Sequence, residues 1–199
     1  MQRETKHTAR SRATREKLVA AARPLFAERG YAGVGTEEVV RAAGVTRGAL
    51  YHQFADKADL FEAVVEEVEA ETTQRIAAGS LGAATDPLAA LRAGAREFLV
   101  VCSEPAIERI LLLDAPAVLG WERFRDIGLR YGLRLVSGVL EAGMDAGVLR
   151  PLPVEPLAHV VIGALDEGAM YVARAADRDA ARAEVLEIID RLLDGLAAP

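Results

Sequence analysis

The stretch at residues 42–57, AAGVTRGALYHQFADK, constrains this chain more than any other. Gly44 supplies a left-handed backbone position, at which one helix can end and another begin at a steep angle. Thr46 is placed to cap the next helix, whose apolar anchors Leu50 and Phe54 stand four apart. The remainder of that helix, Arg47, Gly48, Ala49, Tyr51 and His52, is polar or small and seeks the surface. About two turns with two anchors are not stable alone, so a scaffold must hold them. An outward face of Thr, Arg, Tyr and His behind such a junction suits entry into a DNA major groove.

A net charge of −6 argues against a nucleic-acid partner until its distribution is read. Residues 1–60 hold eleven Lys and Arg against seven Asp and Glu, a net +4, whereas residues 61–199 carry a net −10. A basic head on an acidic body is the asymmetry expected of a chain that meets a polyanion at one end. At 199 residues, 51% hydrophobic but only 5% aromatic, the chain can bury a substantial core and favours an all-α fold. Cys102 stands alone, so no disulfide forms within the chain, which fits a reducing cytoplasm. The first 17 residues are polar and charged, and apolar runs such as residues 110–113 fall far below the roughly 18 residues of a membrane span. A cytoplasmic location without a membrane partner is expected.

Hydrophobic spacing and punctuation predict nine helices and no strands. A basic arm at residues 1–11, with Arg3, Lys6 and Arg10, precedes a first helix from Arg12 to Arg29 with Leu18, Ala22, Leu25 and Phe26 inward. Pro24 inside it deletes the bond to the Ala20 carbonyl and predicts a kink. Thr36 is read as the cap of a second helix, with Glu37 and Glu38 at its positive end and Val39 and Ala43 inward. After the short third helix, Asp56 and Asp59 form a capping-box-like start to a long fourth, which buries Leu60, Phe61, Val64, Val65 and Val68 and runs to Ala78. Residues 79–85 read as a loop. Asp86–Pro87 and Glu104–Pro105 open the fifth and sixth helices, the sixth ending near Leu113, where Pro116 and Gly120 interrupt. Trp121 begins a seventh, ending near Gly147, and a Pro-rich link at residues 150–156 leads to helices at residues 157–175 and 179–196.

The last two helices carry more than one apolar stripe. Val161, Leu165 and Val172 on one, with Ile189, Leu192 and Leu196 on the other, exceed what a single core requires. A two-fold copy of the pair would form a four-helix dimer interface, while full burial within one subunit would account for the same pattern.

The residues Leu25-Phe26, Gly30-Tyr31, Thr36, Val39, Ala43-Gly44-Val45-Thr46, Gly48, Leu50-Tyr51, Phe54, Lys57 and Leu60, in this order and spacing, resemble the amino-terminal domain of the TetR family of transcriptional regulators. The resemblance implies a helix-turn-helix DNA-binding domain at residues 1–56 and a helical ligand-binding and dimerisation domain at residues 57–199. It places Thr46, Arg47, Gly48 and Ala49 at the groove-facing start of the recognition helix, and Thr36, Tyr51, His52 and Lys57 at positions that hold phosphates. Arg47 has the chemistry to read guanine through O6 and N7. Helix amino-termini at Thr36 and Lys57 favour anions independently of any family.

The other candidates are weaker. His7, His52 and His159 are widely separated and only one Cys exists, so no metal-ligand spacing appears. Glycines at 30, 33 and 35 follow a helix and lack a Walker lysine, which leaves them as loop geometry. No nucleophile–base pair can be assembled, so neither an enzyme nor a cofactor is expected. Phe98, Cys102, Leu111, Trp121 and His159 are candidates for lining an effector pocket, although each also reads as a core or packing residue. The expected function is a homodimeric repressor released from a palindromic DNA operator by a small apolar or aromatic molecule. The alternative is an architectural or protein-regulated DNA-binding dimer without a small effector, which a filled core would favour.

Overall fold

The computed structural model describes residues 6–81 and 86–199. Nine helices, and no strand, make up these residues: α1 (Lys6–Arg29), α2 (Thr36–Ala43), α3 (Arg47–Gln53), α4 (Lys57–Leu81), α5 (Pro87–Cys102), α6, α7 (Trp121–Asp145), α8 (Val154–Arg174) and α9 (Arg178–Asp194). Helix α6 is continuous but not uniform: Pro105–Ile107 leads into a π-helical turn, Glu108–Asp114, and then Ala115–Leu119. Among the described residues no helix is long and apolar enough to cross a membrane.

The caps explain most of the boundaries. The Ala49 N–H donates to Thr46 Oγ1 at 3.2 Å, starting α3, and Gly44 between α2 and α3 has φ +64°. The Asp59 N–H donates to Asp56 Oδ1 at 2.9 Å while Asp59 Oδ2 accepts from the Ala55 N–H at 2.9 Å, a reciprocal box at the start of α4. Asp86 and Asp177 cap α5 and α9 through the N–H groups of Ala89 and Ala180.

Several expected boundaries require correction. Helix α1 begins at Lys6, so residues 6–11 are helical rather than an arm; Arg3 lies outside the described residues. The extension is held by tertiary contacts: Gln53 Nε2 donates to Ser11 Oγ at 2.8 Å, and the Arg15 guanidinium lies 4.4 Å from the centre of the Phe54 ring. The helix runs through Pro24 without a break, because Pro24 and Ala20 lie on its exposed side, where water can satisfy the freed carbonyl. Gly35, not Thr36, occupies the cap of α2, and it makes no side-chain cap bond. Glu104 precedes α6 without capping it, its carboxylate being bound by Arg75 of α4. Residues 79–81 belong to α4, and residues 82–85 of the expected loop lie outside the described residues.

Pro116 does not end α6. The Ala115 N–H bonds the Ile110 carbonyl, five residues back, and Pro116 has no N–H to continue the ladder. The shift to wider hydrogen bonding thus falls where proline would otherwise leave a gap, and Gly120, at φ +79°, makes the actual stop. Val154 begins α8 inside the Pro-rich link, since Pro156 is tolerated in a first turn.

Two cores result. The first joins Leu18, Phe26, Leu50, Phe54, Phe61 and Val64 of α1, α3 and α4 to Ile110 and Ala115 of α6 and to Phe124 and Ile127 of α7. Phe26 and Phe61 meet edge to face at 5.1 Å, locking α1 on α4. The second core joins Leu91 and Leu99 of α5 to Leu140, Ala158, Met170, Val185 and Leu193 of α7–α9. The amino-terminal core therefore does not close at residue 56: α4 and α6 carry it into the body.

Candidate nucleic-acid interface and central cavity

The start of α3 forms an open surface. Thr46, Arg47 and Gly48 are exposed and Ala49 is half-buried, while Leu50 behind them is fully buried. A side chain added at Gly48 would meet only Thr46 Oγ1, 4.0 Å away, so the space above it is free for a close partner. Arg47 stands 5.6 Å over the Tyr51 ring and 3.4 Å from Glu37 Oε1, a loose exposed pairing that leaves the guanidinium free to exchange partners. Thr36 and then Arg47, beside the Tyr51 hydroxyl, hold it below the usual tyrosine range. Six of the eight residues singled out in the sequence thus share one surface patch or its rim, and His52 is exposed beside Tyr51 on the same helix.

Lys57 differs. Its ammonium donates to the carbonyls of Tyr31 at 2.9 Å and Val34 at 3.1 Å, and lies 3.9 Å from the centre of the Tyr31 ring. The charge is thus engaged inside the head, where it ties the α1–α2 loop to α4, while the Lys57 backbone stands at the first turn of α4. Nothing in the sequence distinguishes an engaged lysine from a free one.

A cavity of about 240 Å³ lies between α4, α5, α6, α7, α8 and α9, with the exposed Val160 and Leu192 at its edge. Phe98, Cys102 and Leu111, three of the five candidates, line this cavity. Trp121 and His159 do not. Trp121 is 56% exposed at the start of α7, its ring tilted over Phe124, and His159 offers only its carbonyl, to Arg125 Nη2 at 3.1 Å. Of the residues assigned to a dimer interface, Val161, Leu165, Ile189, Leu192 and Leu196 border the cavity. Val172 and Ile189 are buried in the protomer's own second core, which corrects their assignment to an outer face. The outward residues of α8 and α9 are instead Val160, Tyr171, Ile188 and Leu192, each more than half exposed.

The cavity also holds polar groups that the sequence reading missed. Glu69, half-buried, lines it from α4; desolvation, then the charge of Asp166, raises its carboxyl from 4.5 to about 7. Asp166 of α8 is raised to about 6 by desolvation, against the pull of Arg125, whose Nη1 lies 2.5 Å from its Oδ2. Thr72 is buried, and its hydroxyl has no hydrogen-bond partner. Burial pushes the Cys102 thiol up, so it is a buried hydrophobe rather than a reactive thiolate. One signal was available: Glu69 stands four residues after Val65, Thr72 four after Val68, and Asp166 four after Ile162, each polar on an apolar face.

The helix-turn-helix surface, the basic head and the hollow helical body define a DNA-binding regulator. Residues 18–64 match the family model for bacterial regulatory proteins of the tetR family, and residues 88–196 match that for the tetracyclin repressor-like C-terminal domain. The chain belongs to the TetR family of transcriptional regulators. It is similar to a solved TetR-family transcriptional regulator from Pectobacterium atrosepticum, 35% identical, with a TM-score of 0.85 over 98% of this chain and 99% of that one. The HTH-type transcriptional regulator AcrR of Shigella flexneri is 37% identical over 92 residues, 46% of this chain and 42% of that protein, so the similarity spans less than half of AcrR. RolR, solved in complex with resorcinol, is 20% identical and shares the fold, with a TM-score of 0.74 over 96% of this chain and 97% of that one.

Proposed function

We propose that the chain is a ligand-responsive repressor that grips a palindromic operator as a homodimer and is released by a small molecule in the cavity. In this reading residues 1–56 read DNA and residues 57–199 bind effector and partner. Arg47 contacts a base from the start of α3, Thr46, Gly48 and Ala49 lie against the groove wall, and Thr36, Tyr51 and His52 hold phosphates. The exposed Val160, Tyr171, Ile188 and Leu192 of α8 and α9 form the two-fold interface, which spaces two heads about one helical turn, 34–36 Å, apart. Val161, Leu165 and Leu196, half-buried between that face and the cavity, place effector and partner against one wall.

The observation that carries the reading is that two helices serve both the cavity and the head. On α4, Glu69, Thr72 and Ile76 line the cavity, while Leu60 and Phe61 are in the head's core and Lys57 holds its loop. In α6, Leu111 and Leu112 line the cavity, Ile110 and Ala115 sit in the head's core, and Asp114 Oδ2 accepts from the Tyr31 N–H at 2.7 Å. A molecule that fits one arrangement of α4 and α6 better than another shifts the spacing of the heads, and equal affinity for both would shift nothing. RolR with resorcinol shows that a neighbour of this fold takes a small aromatic, which fits a cavity walled by Leu, Val and Phe.

The test is equilibrium binding of the full chain to the DNA upstream of its own gene, with a panel of small molecules first sorted by thermal shift. Molecules that stabilise the protein should weaken DNA binding, and the protected site should be a palindrome. Unchanged affinity across every stabilising molecule would leave a DNA-binding dimer without an effector.

A further inference from the structure

Resting on the effector reading above, we propose that the cavity takes an apolar amine, held as its ammonium ion by Glu69 and Thr72, and that it excludes carboxylates. Among the described residues the wall carries two charged side chains, Glu69 and Asp166, both acidic. Asp166 is neutralised by Arg125, which reaches it from α7 but does not itself line the cavity. Its Nη2 donates to the His159 carbonyl at 3.1 Å, and the guanidinium stays behind the wall rather than in it. Glu69 has no such partner in the wall. Its Oε1 lies 3.8 Å from where a side chain at Gly128 would begin, so no side chain at that position covers it.

Thr72, one turn along α4 from Glu69, is the second and independent sign. It lines the cavity, is 1% exposed and has a hydroxyl without a hydrogen-bond partner. Thr73 and Ser80 line the cavity from the same helix, but Thr72 is the one with an unpaired buried hydroxyl; such an atom costs stability, and its retention marks a group that a ligand completes. An ammonium ion donates three hydrogen bonds and accepts none, which matches a carboxylate and a hydroxyl oxygen together. A neutral alcohol donates once and leaves the Glu69 charge uncompensated. A carboxylate would face two acids and no available base, which an apolar wall makes more costly than water would.

The remaining lining sets the body of the ligand. Leu91, Phe98, Leu111, Val136 and Leu165 offer apolar contact, and a cavity of roughly 150 Å³ is known to admit benzene. About 240 Å³ therefore admits one ring with a short arm.

The experiment compares three probes of one shape, 2-phenylethylamine, 2-phenylethanol and 3-phenylpropionate, by calorimetry on the full chain at about pH 8, where the amine is still protonated and Glu69 is ionised. The amine should bind at least tenfold tighter than the alcohol, and the carboxylate more weakly than either. Glu69→Gln should bring the amine down to the alcohol's affinity and leave the alcohol within about threefold. Thr72→Val should raise the melting temperature of the empty protein yet weaken the amine several-fold, opposite signs that a packing role would not produce. Equal binding of amine and alcohol, a carboxylate that matches the amine, or an amine advantage that survives Glu69→Gln each overturns the proposal while leaving the cavity an effector site. Failure of all three probes to bind overturns the effector reading for molecules of this size as well.

Discussion

The head and the cavity are built in opposite ways. The head's reading surface comes from one short helix and its cap, residues 46–52, with the polar groups on the outside and the apolar anchors Leu50 and Phe54 within. The cavity is assembled from six helices, and its polar lining residues, Glu69, Thr72, Thr73, Ser80 and Asp166, stand among a larger number of apolar ones. The head spends little stability on its function, because exposed polar groups are solvated until DNA arrives. The cavity holds desolvated carboxyls and an unpaired hydroxyl in the empty protein. A ligand that completes them gains what the empty protein lacks, and α4 and α6 carry that difference to the head.

The largest effect is expected where the two regions share a core. Leu50→Ala removes a fully buried side chain under α3 and should cost about 2–5 kcal/mol. DNA binding should be abolished while the variant, if still folded, binds cavity ligands as before; chemical denaturation and calorimetry read the two halves separately. Arg47→Ala comes next. It should leave the fold intact and cost about 1–3 kcal/mol of operator affinity, concentrated at one base position of each half-site in a mutated-operator series. An even loss across all sequences would move Arg47 from base reading to phosphate holding.

The cavity's acids predict a pH dependence with a definite sign. Glu69 titrates near 4.5 in the unfolded chain and about 7 when folded, so between those values the folded protein keeps a proton that the unfolded chain has lost. Stability of the ligand-free protein should therefore fall as pH rises from about 4.5 to 7 and level off above. Asp166, raised from 3.8 to about 6, adds to the slope at its lower end. Arg125 and Tyr131 of α7 and Cys102 of α5 are the other ionisable groups in this neighbourhood. Glu69→Gln should remove the slope between about pH 6 and 7 and retain it below, as read from urea midpoints across that range. The smallest effect concerns Lys57. Because its ammonium binds carbonyls of the protein, Lys57→Ala should lower the melting temperature and weaken DNA binding, yet leave the salt dependence of that binding unchanged. A salt slope shallower by about one would restore it as a phosphate contact.

The same contrast explains what could be read from the sequence. Gly44, Thr46, Leu50, Phe54, Asp56 and Asp59 act on neighbours within a few residues, so cap, turn and anchor were legible one beside another. The start of α1 and the course of α6 were not, because the first depends on Gln53 and Phe54 bonding Ser11 and Arg15, and the second on a change of hydrogen-bond register before Pro116. The pocket was legible only in its apolar part. Thirty acidic residues are spread along the chain, and Glu69 and Asp166 resemble the rest until α7 closes over them. Trp121 and His159, the conspicuous residue types, stand outside the cavity wall.

Coupling between the cavity and the reading surface is open to direct measurement. The most direct measurement is the operator dissociation constant of the full chain with and without a saturating small molecule that calorimetry has shown to bind and Glu69→Gln or Thr72→Val has placed in the cavity. The ligand should weaken operator binding by about 5- to 150-fold, and operator DNA should weaken the ligand by the same factor. A ligand that fills the cavity and leaves the operator constant unchanged would contradict the coupling.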